Sequence, residues 1–367
     1  MPLETNNSLD YKSTELLTIL KGGFKDKLNL ARISFISLFI VALCKVKSVN
    51  FTNISIAFDN SVKAESNCRR IQRFVYDAKL TSELVAKFIF AILPKQDKYT
   101  LVIDRTNWKF GNQNINILML GVCYKNVAFP LIFKMLDKKG NSNTNERKEL
   151  INDFIEWFGK DCIECLLADR EFIGERWIEY LNNERIRYYI RIRNNFKVYL
   201  PHKQEDKYAY HLFYNLKVGE FRAYEKIVYL HGQLCYLSAT KIMTDGKTDY
   251  CIIVSFNKPE NASEKYKERW QIETLFRAMK SSGFNIEDTH LKCMKKLEQL
   301  IMLVMLALVW CYKIGDYIDT YIKPISFKKH RNRSISVVKL GLDYLARLFH
   351  SKVNQLNINV FCFLSCT

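Results

Sequence analysis

Residues 99–136, YTLVIDRTNWKFGNQNINILMLGVCYKNVAFPLIFKML, decide the fold. Three short apolar runs read as strands separated by turn-like polar residues: YTLVID ending at Asp104, then NINILMLGVCYK, then VAFPLIFKML. Pro130 inside the third run cannot donate to a ladder, so that strand is expected at a sheet edge. Downstream, NSNTNERKELINDFIEWFG predicts a helix capped by Thr144, with Leu150, Ile151, Phe154, Ile155 and Phe158 on one face and a stop at Gly159. A fourth strand, ECLLAD, ends at Asp169; GERWIEYLNNE forms a second helix and RYYIRIR a fifth strand.

The resulting order is three strands, helix, strand, helix, strand. If the first three strands form a meander and the fourth returns through a helix beside the first, those two become parallel central neighbours. Asp104 and Asp169 then meet at adjacent strand ends, and the Pro130 strand falls on the edge. This is the order of ribonuclease H-like nucleases and integrases. The expected fold class is α/β, a mixed five-stranded sheet flanked by helices, with a β insertion and helical N- and C-terminal regions.

Upstream, apolar positions recur at helical spacing in STELLTILKGGFKDKLNLARISFISLFIVAL and TSELVAKFIFAIL, with no competing strand pattern. Between them, SNCRRIQRFVYDAKL places Arg69, Arg70 and Arg73 near Phe74 and Tyr76 on a predicted helix. That face is either a solvated basic surface or a helix laid against DNA phosphates. Beyond residue 196, KVGEFRAYEKIVYLHGQLCYLSATK and TDYCIIVSF are strand-rich, with turns at His231-Gly232 and Thr244-Asp245-Gly246. The expected division is a helical DNA-binding region over 1–95, the first part of a catalytic core over 96–195 and a β insertion over 196–258. The core is expected to resume over 259–300, with a helical region over 301–367.

The chain of 367 residues is 48% apolar with six Pro, which argues against a disordered or fibrous chain. Its 56 Lys and Arg against 38 acids give +18, a surplus that favours a polyanionic partner through counterion release. The apolar runs Ile33–Cys44 and Leu300–Tyr312 are shorter than the roughly 18 to 20 residues a bilayer core requires, so both read as buried helices. The polar start MPLETNNSLDYKS lacks the plan of a signal peptide, and a cytoplasmic protein without membrane contact is expected. Eleven scattered cysteines suit reduced core thiols; the one CxxC, Cys162 with Cys165, has no second pair and no nearby His.

The most informative segment is SEKYKERWQIETLFRAMKSSGFNIEDTHL. Tyr266, Arg269, Glu273 and Lys280 lie at offsets of 3, 7 and 14, and at about 100° per residue they share roughly 60° of helix surface. Trp270, Leu275 and Phe276 form the opposing pattern that packs on the sheet. Alone, the charged face is an exposed stripe with an Arg269–Glu273 pair. Joined to two Asp at buried strand ends, which are costly without a partner, it becomes a third carboxylate delivered to a site that a divalent cation would compensate.

With those residues in view, the chain resembles the insertion-sequence-4 family of bacterial DDE transposases. The likeness rests on LVIDRTNW around Asp104, LLADREFIG around Asp169 and the Y-R-E-K spacing of Tyr266, Arg269, Glu273 and Lys280, and it runs over most of residues 65–367. GLDYL and the ending FLSCT also look like that family, so no C-terminal truncation is expected. The resemblance implies that Asp104, Asp169 and Glu273 are a catalytic triad binding two Mg²⁺ ions, with Mn²⁺ as a substitute. It implies that Tyr266, Arg269 and Lys280 contact phosphates of the transposon end, and that the β insertion sits between the second Asp and the Glu. Partners would be double-stranded DNA, both terminal inverted repeats and target, with a homodimer on the DNA. The reaction would be hydrolysis at the element's end, then attack of the freed 3′ hydroxyl on another phosphodiester.

Several neighbours stay open at this stage. Trp108 reads as packing rather than as a platform for a flipped base. Arg105, Arg170 and Glu171 either orient ligands or form a local salt-bridge network. His290 reads as structural, and the basic run Lys328 to Ser334 as a flexible loop. The competing functions are a ribonuclease H-like nuclease that cuts without joining and a non-catalytic DNA-binding repressor descended from a transposase.

Overall fold

The helical spacing before Pro94 forms five helices in the computed structural model of the chain: α1 Asn7–Phe24, α2 Leu30–Val46, α3 Phe51–Ile56, α4 Ala64–Tyr76 and α5 Ser82–Ile92. Strands β1 Tyr99–Phe110, β2 Gln113–Tyr124 and β3 Val127–Met135 follow, then α6 Thr144–Phe158, β4 Ile163–Ala168, α7 Glu175–Asn183 and β5 Tyr188–Ile192. The insertion carries β6 Lys197–Leu200, β7 Glu205–Tyr208, β8 Phe221–Ala223, β9 Val228–Leu230, β10 Gln233–Thr244 and β11 Lys247–Ser255. Helices α8 Ala262–Lys267, α9 Trp270–Met279, α10 Met294–Tyr317 and α11 Val337–Ser351 close the chain. The structure describes residues 7–24, 27–58, 60–244, 246–329, 333–351, 356 and 358–365, with side chains from residue 15 onward. Asp245 of the expected turn, His330 to Asn332 of the basic run, and Cys366 and Thr367 of the ending lie outside the described residues.

The chain divides into two compact units, one of Met1–Pro94, Trp108–Gln113 and Phe276–Thr367, the other of Lys95–Asn107 and Asn114–Leu275. The second unit is built on the sheet. Its strand order begins β3-β2-β1-β4-β5, the mixed ribonuclease H-like arrangement expected from the sequence. Strand β1 runs parallel to β4, with Val102 opposite Leu167 and Ile103 opposite Ala168, and β4 runs parallel to β5. Pro130 lies in the edge strand β3, at a register shift opposite Gly121, so it costs the ladder no hydrogen bond. Leu101 to Ile103 and Leu166 to Ala168 are buried consecutively rather than alternately, which means that both faces of the central strands are covered. Helix α6 packs on β3, and α8 on β5, β10 and β11.

Two expectations change. The sheet is larger than the five strands expected: β11 of the insertion pairs antiparallel with β5, Ile252 opposite Ile192, and the sheet continues through β10, β9, β6 and β7. Without β11, β5 would expose a row of unpaired backbone groups. Helix α6 starts one residue earlier in capping terms than predicted, because Asn143 is the cap and exchanges a capping box with Glu146.

The first unit is helical. Helix α10 is apolar all round from Leu300 to Tyr312 and fully surrounded, packing against α2, α4, α5 and α11. With its continuation to Ile322 it is longer than the sequence run suggested, and long and apolar enough to cross a membrane, yet 83% of its most apolar window is buried inside the protein. It meets α11 across glycines: a Cβ on Gly341 would lie 1.8 Å from the Cys311 carbonyl oxygen, and one on Gly315 1.9 Å from that of Val337. Because the obstruction is backbone, it cannot rotate away. Gly341→Ala is expected to destabilise the chain by about 1–3 kcal/mol, as overpacking does, measured by urea unfolding; an unchanged midpoint would show that the two helices can separate freely.

Candidate active site

The parallel register of β1 and β4 carries Asp104 and Asp169 to neighbouring positions, each one residue past the paired Ile103 and Ala168. Asp104 does not end its strand as expected: β1 runs on to Phe110, paired with β2 alone beyond Ile103, so only Asp169 lies past a strand end. Each carboxylate turns back on its own chain: Asp104 Oδ1 accepts the Arg105 N–H at 2.7 Å, and Asp169 Oδ1 accepts the Arg170 N–H at 2.7 Å. Burial pushes the Asp104 carboxyl up from the ordinary 3.8 to about 6. The Arg105 N–H and the Arg269 guanidinium pull the other way, while Glu171 and Asp169 add repulsion.

Cationic and phenolic groups reach these acids from the segment after the insertion. Arg269, itself buried, donates from Nη1 to Asp104 Oδ2 at 3.3 Å and from Nη2 to Glu273 Oε1 at 2.5 Å. Tyr266 donates its hydroxyl to Asp169 Oδ1 at 3.4 Å, and burial raises its pKa. One guanidinium therefore bridges the strand-borne and the helix-borne acid. Its Nε–H is buried and has no acceptor.

The helix face that presents them is not the continuous one predicted from 100° spacing. Between α8 and α9 the backbone tightens, with Glu268 N bonding Lys265 O, Arg269 N bonding Tyr266 O, Gln271 N bonding Glu268 O and Ile272 N bonding Arg269 O. These are three-residue closures, in which side chains three apart eclipse. Tyr266 and Arg269 accordingly stack, guanidinium over ring at 5.8 Å. Trp270, expected against the sheet, is instead 60% exposed, because the tight turn rotates it outward, and Arg269 lies 5.4 Å over its ring.

Residues 95–310, more than half of the chain, match the Transposase DDE domain family. The chain belongs to that family. No curated protein matches it. In this chain the structure brings five of the predicted residues together: Asp104, Asp169, Tyr266, Arg269 and Glu273. Lys280 and the arginines of α4 belong to the other unit. There Lys280 follows the end of α9, pairs with Glu287 at 2.8 Å and lies 5.6 Å over the Trp108 ring, so the fourth member of the spacing does not extend the helix face. Arg69, Arg70 and Arg73 lie on α4 opposite buried Ile71 and Val75, Arg69 and Arg73 exposed and Arg70 over the Phe35 ring. Trp108 is buried, as its packing role required, and His290 stacks on Phe110 at 5.3 Å. Arg333 of the basic run is held by Asp319 at 2.7 Å.

A divalent ion suits part of this donor set. Asp104 and Asp169 offer only oxygens, and Asp104 is an under-compensated buried acid that a cation would relieve. Glu273 is engaged by Arg269, and among the described residues no three His, Cys, Asp or Glu side chains converge closely enough to hold one metal ion. The aspartate pair fits; the glutamate is tied to it through Arg269 rather than converging on it directly.

Two residues at this site went unrecognised in the sequence. Asn116, buried in β2, accepts from Arg105 Nη1 at 3.0 Å, and a polar residue inside the run NINILML was the available signal. Arg147 looked like one more surface charge in NERKEL and carried no signal at all. The choice left open for Arg105 and Glu171 resolves as a bridge, Nε to Oε1 and Nη2 to Oε2 at 3.2 Å each.

The raised Asp104 value has a stability consequence. The unfolded chain loses this proton near 3.8 and the folded chain near 6, so the associated stability is fully present below 3.8 and is lost as pH rises through 6. Without divalent ions, Asp104→Asn is expected to be more stable than the parent at pH 7 by about 1–3 kcal/mol, and no more stable at pH 4. Urea unfolding at both pH values checks this; destabilisation at pH 7 would mean that the ion pair to Arg269 outweighs desolvation.

Proposed function

We propose that this chain is a cut-and-paste DNA transposase of the insertion-sequence-4 group, cleaving transposon ends and joining them to target DNA. The observation that carries the reading is the pair of aspartates at matched positions just past the parallel-paired stretch of β1 and β4, linked through Arg269 to Glu273. In this reading Asp104, Asp169 and Glu273 hold two Mg²⁺ ions, which Mn²⁺ can replace. Such ions, when bound, activate water and stabilise the attacking and leaving oxygens of phosphoryl transfer.

The chain's own groups supply the rest. The unsatisfied Nε–H of Arg269 is a donor suited to a phosphate oxygen, and a phosphate there would compete with Glu273 for the guanidinium. Tyr266 holds Asp169 and keeps its proton at neutral pH, since burial raises its pKa. Lys280 and the α4 arginines Arg69, Arg70 and Arg73 bind backbone phosphates, with the helices before Pro94 as a DNA-binding region. The net charge of +18 supports double-stranded DNA as the partner. Bringing two element ends together calls for a homodimer on DNA.

The rival reading, a non-catalytic repressor, draws on Glu273 being tied to Arg269 rather than to the aspartates. Incubation with Mg²⁺ or Mn²⁺ and DNA bearing the element's inverted repeats separates the possibilities. We expect 3′ nicks followed by joined products, and no cleavage by Asp104→Asn or Glu273→Gln, with end binding retained by both. Binding without nicking favours the repressor, nicking without joining favours a nuclease, and cleavage by either variant would sink the catalytic assignment.

Binding to the element end should also weaken steeply with salt. Replacing Arg69, Arg70 and Arg73 by Ala is expected to reduce the slope of log K against log salt by about 1 for each phosphate these arginines neutralise. A slope equal to that of the parent places α4 away from the DNA.

A further inference from the structure

Two like charges at adjacent positions repel, and while Asp104 is held within β1, Asp169 stands one residue beyond the last residue of β4, where the ladder no longer holds it. Something else must fix its place. The turn that carries it closes through Phe172 N–H to the Asp169 carbonyl at 2.9 Å. Within that turn Glu171 is gripped at both ends. Its carboxylate takes the two-point bridge from Arg105, the residue after Asp104. Its backbone carbonyl accepts from Arg147 Nη2 at 3.0 Å.

Arg147 stands on the first turn of α6 and is only 4% exposed. Besides Glu171, it donates from Nε to Ser142 Oγ at 2.8 Å and from Nη2 to the Ser142 carbonyl at 2.6 Å, and it lies 4.9 Å over the Phe172 ring. On the other side, Arg105 continues to Asn116, whose amide donates to the carbonyls of Lys138 and Gly140 at 3.1 and 3.0 Å. The bonds run from the 138–142 loop through Asn116, Arg105, Glu171 and Arg147 back to Ser142, a closed ring that includes Arg105 beside Asp104 and the turn that carries Asp169.

We propose that Arg147 and the Arg105–Glu171 bridge are positioning residues that set the separation of the Asp104 and Asp169 carboxylates and thereby the affinity of the site for a divalent cation. This rests on the metal-dependent reading above. Neither arginine touches the ion or the DNA in this role; both act through the backbone of the Asp169 turn and of β1 beside Asp104. A guanidinium fork is required, because a lysine at 147 carries its donors on a single nitrogen, whereas the arginine reaches its three acceptors from two separated nitrogens in a fixed plane.

The test uses the full chain and reads Mn²⁺ binding directly, from the electron paramagnetic resonance signal of free Mn²⁺ during titration, beside urea unfolding. Glu171→Gln keeps the side-chain shape and is the deciding variant; Arg105→Gln, their double variant and Arg147→Lys accompany it. Glu164→Gln is the control, since it breaks the Lys265 ion pair at the opposite ends of the same strands. We expect Glu171→Gln and Arg147→Lys to weaken Mn²⁺ binding at least about tenfold, in the range seen when outer partners of metal ligands are removed. The double variant should be no weaker than either single one, because the pair acts as a unit, and Glu164→Gln should bind Mn²⁺ like the parent. Parent-like affinity in folded Glu171→Gln overturns the clamp while leaving the metal site intact, provided that Asp104→Asn abolishes binding. Equal weakening by Glu164→Gln also overturns it, since the effect then follows general stability. A parent chain that binds no Mn²⁺ overturns the metal reading and the clamp together.

Discussion

The parallel pairing of β1 with β4 is the constraint from which the rest of the site follows. It brings two acids side by side just past the paired stretch, so their mutual repulsion and desolvation must be answered by whatever is packed around them. The answers are distinct in kind. Backbone N–H groups of the next residues hold one oxygen of each acid, Tyr266 and Arg269 supply a hydroxyl and a positive charge, and Arg105 with Glu171 ties the flanking residues together. None of these removes the penalty on Asp104, whose pKa stays raised.

The tightened backbone between α8 and α9 explains how one short segment can serve both aspartates. In a regular α-helix Tyr266 and Arg269 would diverge by about 60° around the axis. Three-residue closure lines them up, so that the phenol points at Asp169 and the guanidinium at Asp104. Glu273 follows four residues after Arg269, past the last of these closures, and the same guanidinium reaches it on the next turn. A single break in helical geometry thus joins three acids through one cation and its neighbouring phenol.

How much of this was legible in the sequence differs by residue. Strand order could be read from β-period runs and from Pro130, whose chemistry permits little besides an edge, and the meeting of Asp104 with Asp169 followed from that order. The Arg269–Glu273 pair was legible from spacing alone. The tightened turn was not, since no Gly or Pro marks it in SEKYKERWQIE, and so Trp270 was assigned to the wrong side. Arg147 was invisible for a related reason: its value lies in bonds to the Ser142 and Glu171 carbonyls, and backbone acceptors leave no trace in side-chain pattern. The joining of the insertion to β5 depends on register between distant strands, which local periodicity does not encode.

The two ends of the same strand pair show that the poor compensation at Asp104 is local. At the start of β4, Glu164 is partly buried, which by itself would raise its pKa, yet hydrogen bonds from Lys265 and Thr100 at 2.9 and 2.8 Å hold it below the ordinary range. At the carboxyl end of the stretch over which β1 and β4 pair, with an arginine equally at hand, Asp104 is left well above that range. The sequence could place a lysine against an acid on this pair of strands, and at the carboxyl ends it placed instead an arginine shared between two acids. Carboxyl ends of parallel strands are where α/β sheets bind their ligands. An acid left uncompensated at that location is one that a cation would relieve, and its burial costs folding stability above the pH at which it ionises.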